Sequence, residues 1–189
     1  MSPQEHTAQL LKAQDRFIDA WGRMGSVWGI SRTMAEVHAL LFVTGEPMCM
    51  DDIMDRLRIS RGNASMSLRA LLEWGVVSKA PRRGERRDYY QAEQDVWSMF
   101  RAILRERVKR EVEPLIESIS EVRELNPSDE QDAHESAREL DQRLRDMQEV
   151  FQLVATLGER FTGPSGQGLK VAAKLLAKTP GAGRSRAGA

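Results

Sequence analysis

Residues 52–92 most constrain the fold, because the spacing of their apolar side chains changes from helical to extended. Residues 52–57 place apolar side chains on one side of a short helix. A three-residue turn then leads to a second amphipathic run, which ends at Gly75. Two short extended segments, 76–80 and 86–92, follow with a glycine between them. This order predicts two helices joined by a tight turn and followed by a β-hairpin.

The second helix of this pair combines an apolar face with a polar outer face. Ser60 is a favourable N-cap, and apolar side chains recur at helical spacing from Ala64 to Leu72. In a helix that enters the major groove, arginine pairs with guanine, asparagine pairs with adenine, and serine bonds to a base or a phosphate. A glycine in the first turn lets the helix approach a phosphate closely. The residues predicted to contact DNA here are Ser60, Arg61, Gly62, Asn63, Ser65 and Arg69.

The hairpin has a strongly basic tip. The whole chain carries 28 basic and 28 acidic side chains, yet residues 56–87 hold nine Lys and Arg against two Glu. Such a local excess of positive charge indicates a polyanionic partner. Arginines on a hairpin reach an adjacent minor groove or the phosphates beside it, and Gly84 allows the tight turn. The hairpin residues predicted to contact DNA are Arg82, Arg83, Arg86 and Arg87.

Long helices are predicted on both sides of this module. Apolar residues recur at helical spacing over 4–28, over 31–45 and over 95–125, and Pro114 predicts a kink inside the third run. In the last predicted helix, which a capping box starts at Ser128, apolar residues alternate at steps of four and three. Because a helix of about 34 residues is about 50 Å long, we expect this apolar seam to contact a second copy of the chain.

These patterns predict a mainly α-helical fold, in which a winged helix-turn-helix with a small β-hairpin wing is flanked by long dimerisation helices. The predicted organisation is an N-terminal dimerisation helix (1–30), a winged helix-turn-helix DNA-binding domain (31–93), C-terminal dimerisation helices (94–162) and a flexible basic tail (163–189).

The sequence contains no motif for catalysis, a metal or a nucleotide cofactor. Its histidines, at 6, 38 and 134, are far apart, and no pair has the spacing of a zinc site. The single cysteine, Cys49, excludes an internal disulfide, fits a reducing compartment and is expected to be a buried structural thiol without a basic neighbour. No secretory signal and no membrane-spanning apolar run is present. We therefore expect a cytoplasmic protein that is not an enzyme and has no cofactor.

Four aromatic residues lie in the helices that flank the module, namely Trp21, Trp28, Trp97 and Phe100. An aromatic cage binds a quaternary ammonium group by cation–π contact. Aromatic residues at helical spacing are more often ordinary core residues. A ligand-binding cage is therefore the weaker of the two interpretations.

The segment ISRGNASMSLRALLEWGVV, followed by a basic wing that ends in RRDYY, resembles the GbsR branch of the MarR-type winged-helix transcriptional regulators. The resemblance runs from about Phe17 to Ile119 and is most specific in residues 60–77 and the wing. It implies a bacterial homodimer that binds a pseudo-palindromic operator, usually as a repressor, with dimer helices drawn from both chain ends. In some members it also implies a small-molecule effector, and choline-related and osmolyte-linked regulation is known in this branch.

Three functions remain open at this point. The first is a sequence-specific transcriptional regulator, with repression as the expected effect, whose partners are double-stranded DNA and a second copy of the chain. The second is an architectural protein that binds DNA without sequence preference. The third is a winged-helix module that docks on another protein.

Overall fold

The computed structural model describes residues 2–82, 84–126 and 134–162. The helices are α1 (Pro3–Val27), α2 (Arg32–Thr44), α3 (Met50–Leu57), α4 (Arg61–Glu73), α5 (Val96–Arg107), α6 (Glu113–Leu125) and α7 (Glu135–Thr162). The strands are β1 (Met48–Cys49), β2 (Val77–Lys79) and β3 (Tyr89–Ala92), and a π-helical turn (Val108–Val112) joins α5 to α6. The chain divides into two compact units, residues 1–102 and 103–189.

Helix α2 lies at the centre of the first unit. Ser31 caps its start by accepting a hydrogen bond from the backbone N–H of Met34, and Gly45 ends it with a φ of 69°. Helix α2 packs against α1, α3, α4 and β3, and its buried residues belong to one core with theirs. The largest fully buried side chains of this core are Val37, Leu40, Leu41, Ile53, Leu68 and Val76.

Helices α1 and α2 pack closely because α1 presents two buried glycines to α2. A Cβ placed on Gly25 would lie 2.6 Å from the Cβ of Ala35, and one placed on Gly22 would lie 2.7 Å from Cγ of Glu36. Any larger residue at Gly25 would therefore force the two helices apart.

The predicted helix-turn-helix and hairpin are confirmed. Residues 58–60 connect α3 to α4, with Arg58 in the left-handed conformation at a φ of 53°. Strands β2 and β3 pair antiparallel, with Val77 opposite Ala92. The sheet has three strands and not the two predicted, because β1 pairs with the other edge of β3 through Met48 and Tyr90. A two-residue strand is too short to show an alternating pattern in the sequence.

The second unit is an antiparallel arrangement of α6 and the π-helical turn against α7. The Arg123 guanidinium near the end of α6 bonds to Asp141 at 2.9 Å, and Gln148 donates to the hydroxyl of Ser120 at 2.8 Å. Arg105 donates to the carbonyl of Thr162 at the other end of α7, at 2.9 Å. These bonds set the register of the two helical segments.

A π-helical turn, Val108–Val112, lies directly before Pro114, the position at which the sequence predicts a kink. Proline has no backbone N–H, and its ring clashes with the carbonyl four residues earlier, which favours an inserted residue at this point. The N–H of Glu113 accordingly donates to the carbonyl of Val108, five residues back.

The last helix begins at Glu135, directly after the non-helical His134. The predicted capping box at Ser128 and the predicted tail at 163–189 lie outside the described residues. The apolar seam of this helix is divided between two faces. Leu144 and Phe151 lie half-buried on the face that contacts α6, whereas other apolar side chains are exposed. The exposed set is Leu140, Met147, Val150, Leu153, Val154 and Leu157.

Among the described helices, none combines the length and the apolar character needed to cross a lipid bilayer.

Candidate nucleic-acid interface

Helix α4 presents a polar outer face, as its sequence predicts. The Oγ of Ser60 accepts a hydrogen bond from the N–H of Asn63 at 3.3 Å, so Ser60 caps the helix and orients its first turn. Arg61, Gly62, Asn63 and Arg69 are exposed, and Ser65 is half-buried. The opposite face, formed by Ala64, Leu68 and Leu71, is buried against α2 and its neighbours.

The centre of this outer face is occupied by Gly62, Met66 and Arg69. At about 100° per residue, these three positions fall within a sector of about 60°, with Arg61 and Asn63 on opposite flanks. Met66 is 65% exposed, while Ser67 is buried. A Cβ placed on Gly62 would meet only the Oγ of Ser60, at 3.9 Å. Nothing among the described residues therefore requires a glycine at this position.

The tip of the wing follows β2, and Gly84 turns there with a φ of 88°. Arg82 lies over the ring of Tyr89, with its guanidinium carbon 4.4 Å from the ring centroid. The Tyr89 hydroxyl donates to the Glu85 carboxylate, and this bond raises the pKa of Tyr89. Arg86 is exposed and forms no ion pair within the described part of the chain. Arg83 lies outside the described residues.

An acidic residue at the start of α3 connects α4 to the wing. One carboxylate oxygen of Asp51 bonds to Nη2 of Arg61 at 2.8 Å, and the other lies 3.8 Å from Nη1 of Arg87. Sequence reasoning singled out both arginines and missed Asp51. No local pattern could have identified it, because the contact depends on how α3, α4 and the wing pack together.

Cys49 is 2% exposed, so the predicted burial of the thiol is confirmed. The expectation that it has no basic neighbour is wrong, because the wing brings Arg87 to it. The Arg87 guanidinium donates a hydrogen bond to the Cys49 sulfur, and this bond and the charge of Asp51 raise the pKa of Arg87. Asp52 accepts from the backbone N–H of Cys49 at 3.0 Å, and its bonds to Cys49 lower the pKa of its carboxyl group.

The aromatic residues singled out in the sequence occupy different environments. The ring of Trp21 stacks on Phe17 at 5.6 Å and lies 5.9 Å from the ring of His38, in the contact between α1 and α2. Trp97 is half-buried, and Trp28 and Phe100 are exposed. The Trp21 ring thus lies in the environment expected of an ordinary core residue.

His38 is a buried polar group that sequence reasoning did not identify. Its ring is 4% exposed and stacks on Phe42 at 6.2 Å, and its Nε2 atom has no hydrogen-bond partner among the described residues. Burial lowers the pKa of His38 from 6.5 to about 4. Within the described ranges, no three His, Cys, Asp or Glu side chains are grouped to hold a metal ion.

Residues 28–88 match the model of the MarR family. This range covers α2, α3, α4, β2 and the tip of the wing, which include the elements described in this section. Two relatives from Bacillus subtilis (strain 168) are similar to the chain. The HTH-type transcriptional repressor GbsR is 26% identical over 114 residues, which are 60% of this chain and 63% of that protein. The HTH-type transcriptional repressor OpcR is 22% identical over 88 residues, which are 47% of this chain and 48% of that protein.

The matched segments therefore span less than two thirds of each of these relatives. A solved structure described as that of a transcriptional regulator has the same fold, with a TM-score of 0.60 and 19% identity over 82% of this chain and 99% of that chain. The predicted resemblance to GbsR- and MarR-type regulators is confirmed, and so is the winged helix-turn-helix fold. The MarR family consists of non-enzymatic DNA-binding regulators, in agreement with the expectation that this protein is not an enzyme.

Proposed function

We propose, from the MarR-family module at residues 28–88, that the protein is a sequence-specific transcriptional regulator that binds a pseudo-palindromic operator as a homodimer and represses transcription in the cytoplasm. The observation that carries the proposal is the shared contact of Arg61 and Arg87 with Asp51. Because of this contact, the first turn of α4 and the basic wing form one continuous surface. A helix and an adjacent wing arranged in this way can engage a major groove and the backbone next to it.

Each part of this surface has the chemistry for a different contact with DNA. Arg61 can pair with guanine O6 and N7, and Asn63 can pair with adenine. Ser65 and Arg69 are placed for bases or phosphates along the same groove. Gly62 leaves the backbone of the first turn open to a phosphate. Met66 offers an apolar contact for the methyl group of thymine.

The wing supplies positive charge to the DNA backbone. Arg86 is exposed and can contact a phosphate. Arg82 contacts Tyr89 and Arg87 contacts Asp51, and both arginine side chains are exposed. Arg83, which lies outside the described residues, is included in the proposal on its sequence position alone. Neutralising phosphates in this way adds affinity that does not depend on base sequence and falls with salt.

The exposed apolar face of α7 supports the proposed homodimer. Leu140, Met147 and Val154 recur every seven residues and are exposed, with Val150 and Leu157 beside them. A stripe of this kind is unusual on a free helix surface, and heptad spacing suits pairing with another helix. Relatives named as repressors favour repression over activation as the effect on transcription.

A small-molecule effector is a secondary part of the proposal. Trp21, Trp28, Trp97 and Phe100 stay its candidate residues, and the exposed rings of Trp28 and Phe100 are the more accessible ones. Quenching of tryptophan fluorescence by tetramethylammonium, at concentrations where ammonium does not quench, would support a cage. Equal quenching by both ions would exclude it.

The direct test begins by selecting, from a random pool, the DNA sequences that the full-length protein binds. Affinities for the selected operator and for random DNA are then measured at one salt concentration, and the salt dependence of each is measured separately. Arg61→Ala should cost about 1–3 kcal/mol on the operator and relax preference at one base position per half-site. Arg86→Ala should weaken binding to both DNAs and lower the salt slope by about one unit for each phosphate that the variant no longer neutralises.

Arg143→Ala is the matched control, since it removes the same charge from an exposed arginine on α7 that pairs with Glu139 on its own helix. It should change neither affinity. Equal losses on operator and random DNA for Arg61→Ala would contradict its role as a base reader. Equal affinity of the unmodified protein for both DNAs would favour the architectural protein, and stable binding to a protein without any DNA shift would favour the docking module.

A further inference from the structure

The carboxylate of Asp51 lies within the surface that we propose for DNA binding. An acidic group at such a place repels phosphates, so its presence in a basic surface needs a reason. Its two oxygens contact two different arginines, Arg61 at 2.8 Å and Arg87 at 3.8 Å. The side chains are 48% exposed for Asp51, 69% for Arg61 and 66% for Arg87. A pair this exposed adds little to the stability of the fold.

We propose, building on the DNA-binding function above, that Asp51 is a positioning residue that holds the Arg61 guanidinium in the orientation that reads guanine. Arg61 has five N–H donors, and Asp51 uses one of them. The donors that remain are enough for the two bonds to guanine O6 and N7. Asp51 can therefore stay bonded to Arg61 while Arg61 contacts the base.

The position of Asp51 on rigid elements makes this role effective. Asp51 belongs to the first turn of α3, where the neighbouring Asp52 bonds back to the N–H of Cys49 at 3.0 Å. Its second oxygen faces Arg87, whose guanidinium also interacts with Cys49. The carboxylate thus lies between Arg87 on the wing and Arg61 on α4, with one oxygen bonded to Arg61. A flexible arginine held in advance gives up less freedom when it binds the base.

Two opposite effects of one substitution identify this role. Asp51→Asn keeps the shape of the side chain and removes its charge. Without the charge, Arg61 is ordered less well, so affinity for the operator relative to random DNA should fall about threefold to tenfold, the range expected for ordering one long side chain. Affinity for random DNA should rise, with a steeper salt dependence, because one negative charge near the phosphates is removed.

The experiment compares operator and random DNA binding of the full-length protein and four variants, Asp51→Asn, Asp55→Asn, Arg61→Ala and the double variant of Asp51 and Arg61. Asp55 is the matched control, because it is an exposed aspartate on the same helix that forms no ion pair within the described residues. Asp55→Asn should leave the ratio of the two affinities unchanged. In the Arg61→Ala background, Asp51→Asn should no longer lower this ratio, because its effect passes through Arg61.

Two results would overturn the inference. One is an equal rise in affinity for operator and random DNA in Asp51→Asn, which would make Asp51 a simple repulsive charge. The other is the same fall in the ratio with and without Arg61. The ratio measured for the unmodified protein tests the proposed function separately: a ratio of one refutes sequence-specific binding, whatever the variants show.

Discussion

Replacing Gly25 by alanine is expected to force α1 away from α2. The new Cβ would lie 2.6 Å from the Cβ of Ala35, whereas non-bonded carbon atoms are comfortable at about 3.5–4.0 Å. Both carbons are attached directly to helix backbone, so neither can move unless its helix moves. Gly25 and Ala35 are both buried, so the methyl group cannot turn away into solvent.

Two opposing free-energy terms set the size of the effect. Overpacking a well-packed contact costs about 1–3 kcal/mol, while replacing a helical glycine by alanine returns up to about 1 kcal/mol. Gly22→Ala is the matched control, because Gly22 is also buried on α1 but its new Cβ would meet Cγ of Glu36. This side chain can change rotamer at the small cost of its ion pair with Arg32. Both variants gain helix propensity, so Gly25→Ala should be less stable than Gly22→Ala by about 1–3 kcal/mol.

Urea denaturation followed by circular dichroism measures this difference, and unchanged m-values would verify that unfolding exposes the same surface. In thermal unfolding, each kcal/mol corresponds to about 2–4 °C for a chain of this size. Ala35→Gly removes the opposing methyl group, so it should rescue Gly25→Ala and give a coupling free energy of about 1–3 kcal/mol in the double-mutant cycle. Equal stability of the Gly25 and Gly22 variants, or a coupling of zero, would refute the close-packing argument.

Three further predictions concern α4 and the buried histidine. Gly62→Ala should stabilise the fold by up to about 1 kcal/mol, because its Cβ would meet only Ser60 Oγ at 3.9 Å. The same variant should bind the operator more weakly in an anisotropy titration. Unchanged affinity would contradict the proposed close approach to a phosphate. Met66→Ala should weaken operator binding by about 1 kcal/mol. Changing the contacted thymine to deoxyuridine should weaken binding of the unmodified protein by the same amount and leave binding of the variant unchanged. An equal loss of binding free energy for both proteins would exclude the methyl contact. Since burial lowers the pKa of His38 from 6.5 to about 4, the unfolded chain binds a proton more readily in this window, and the protein should lose up to about 3 kcal/mol of stability as pH falls through it. His38→Phe should remove that loss in urea titrations made above pH 6.5 and near pH 4, and an unchanged pH dependence would show that other groups cause it.

Local chemistry made much of the fold predictable from the sequence. Ser31, Gly45 and Ser60 end or begin helices through bonds to residues within one turn, so their effect is visible in a short segment. The three-residue turn before α4 and the polar face of that helix follow from apolar spacing in the same way. Arg61, Asn63 and the described arginines of the wing are exposed, as a DNA-contacting surface requires.

The remaining features depend on contacts between segments that are distant in the chain. Strand β1 exists only because β3 offers it a free edge, and Asp51 gains its importance only where α3, α4 and the wing meet. The seam of α7 was predicted as one surface, but α6 covers Leu144 and Phe151 and leaves Met147 and its neighbours exposed. Apolar spacing shows that a face will be covered, and it does not show which partner covers it.

Binding to an operator whose half-sites have been moved apart tests the proposed symmetric regulator most directly. Two α4 helices related by a dimer axis must enter successive major grooves, so half-site centres should lie about 10 base pairs apart or a multiple of that spacing. Inserting about five base pairs between the half-sites rotates one of them by about half a turn. The account predicts that tight binding and the inverted-repeat footprint disappear, while the salt-dependent affinity for random DNA stays the same. An unchanged affinity for the altered operator would show that the two helices do not bind as a rigid pair, and it would contradict the proposal.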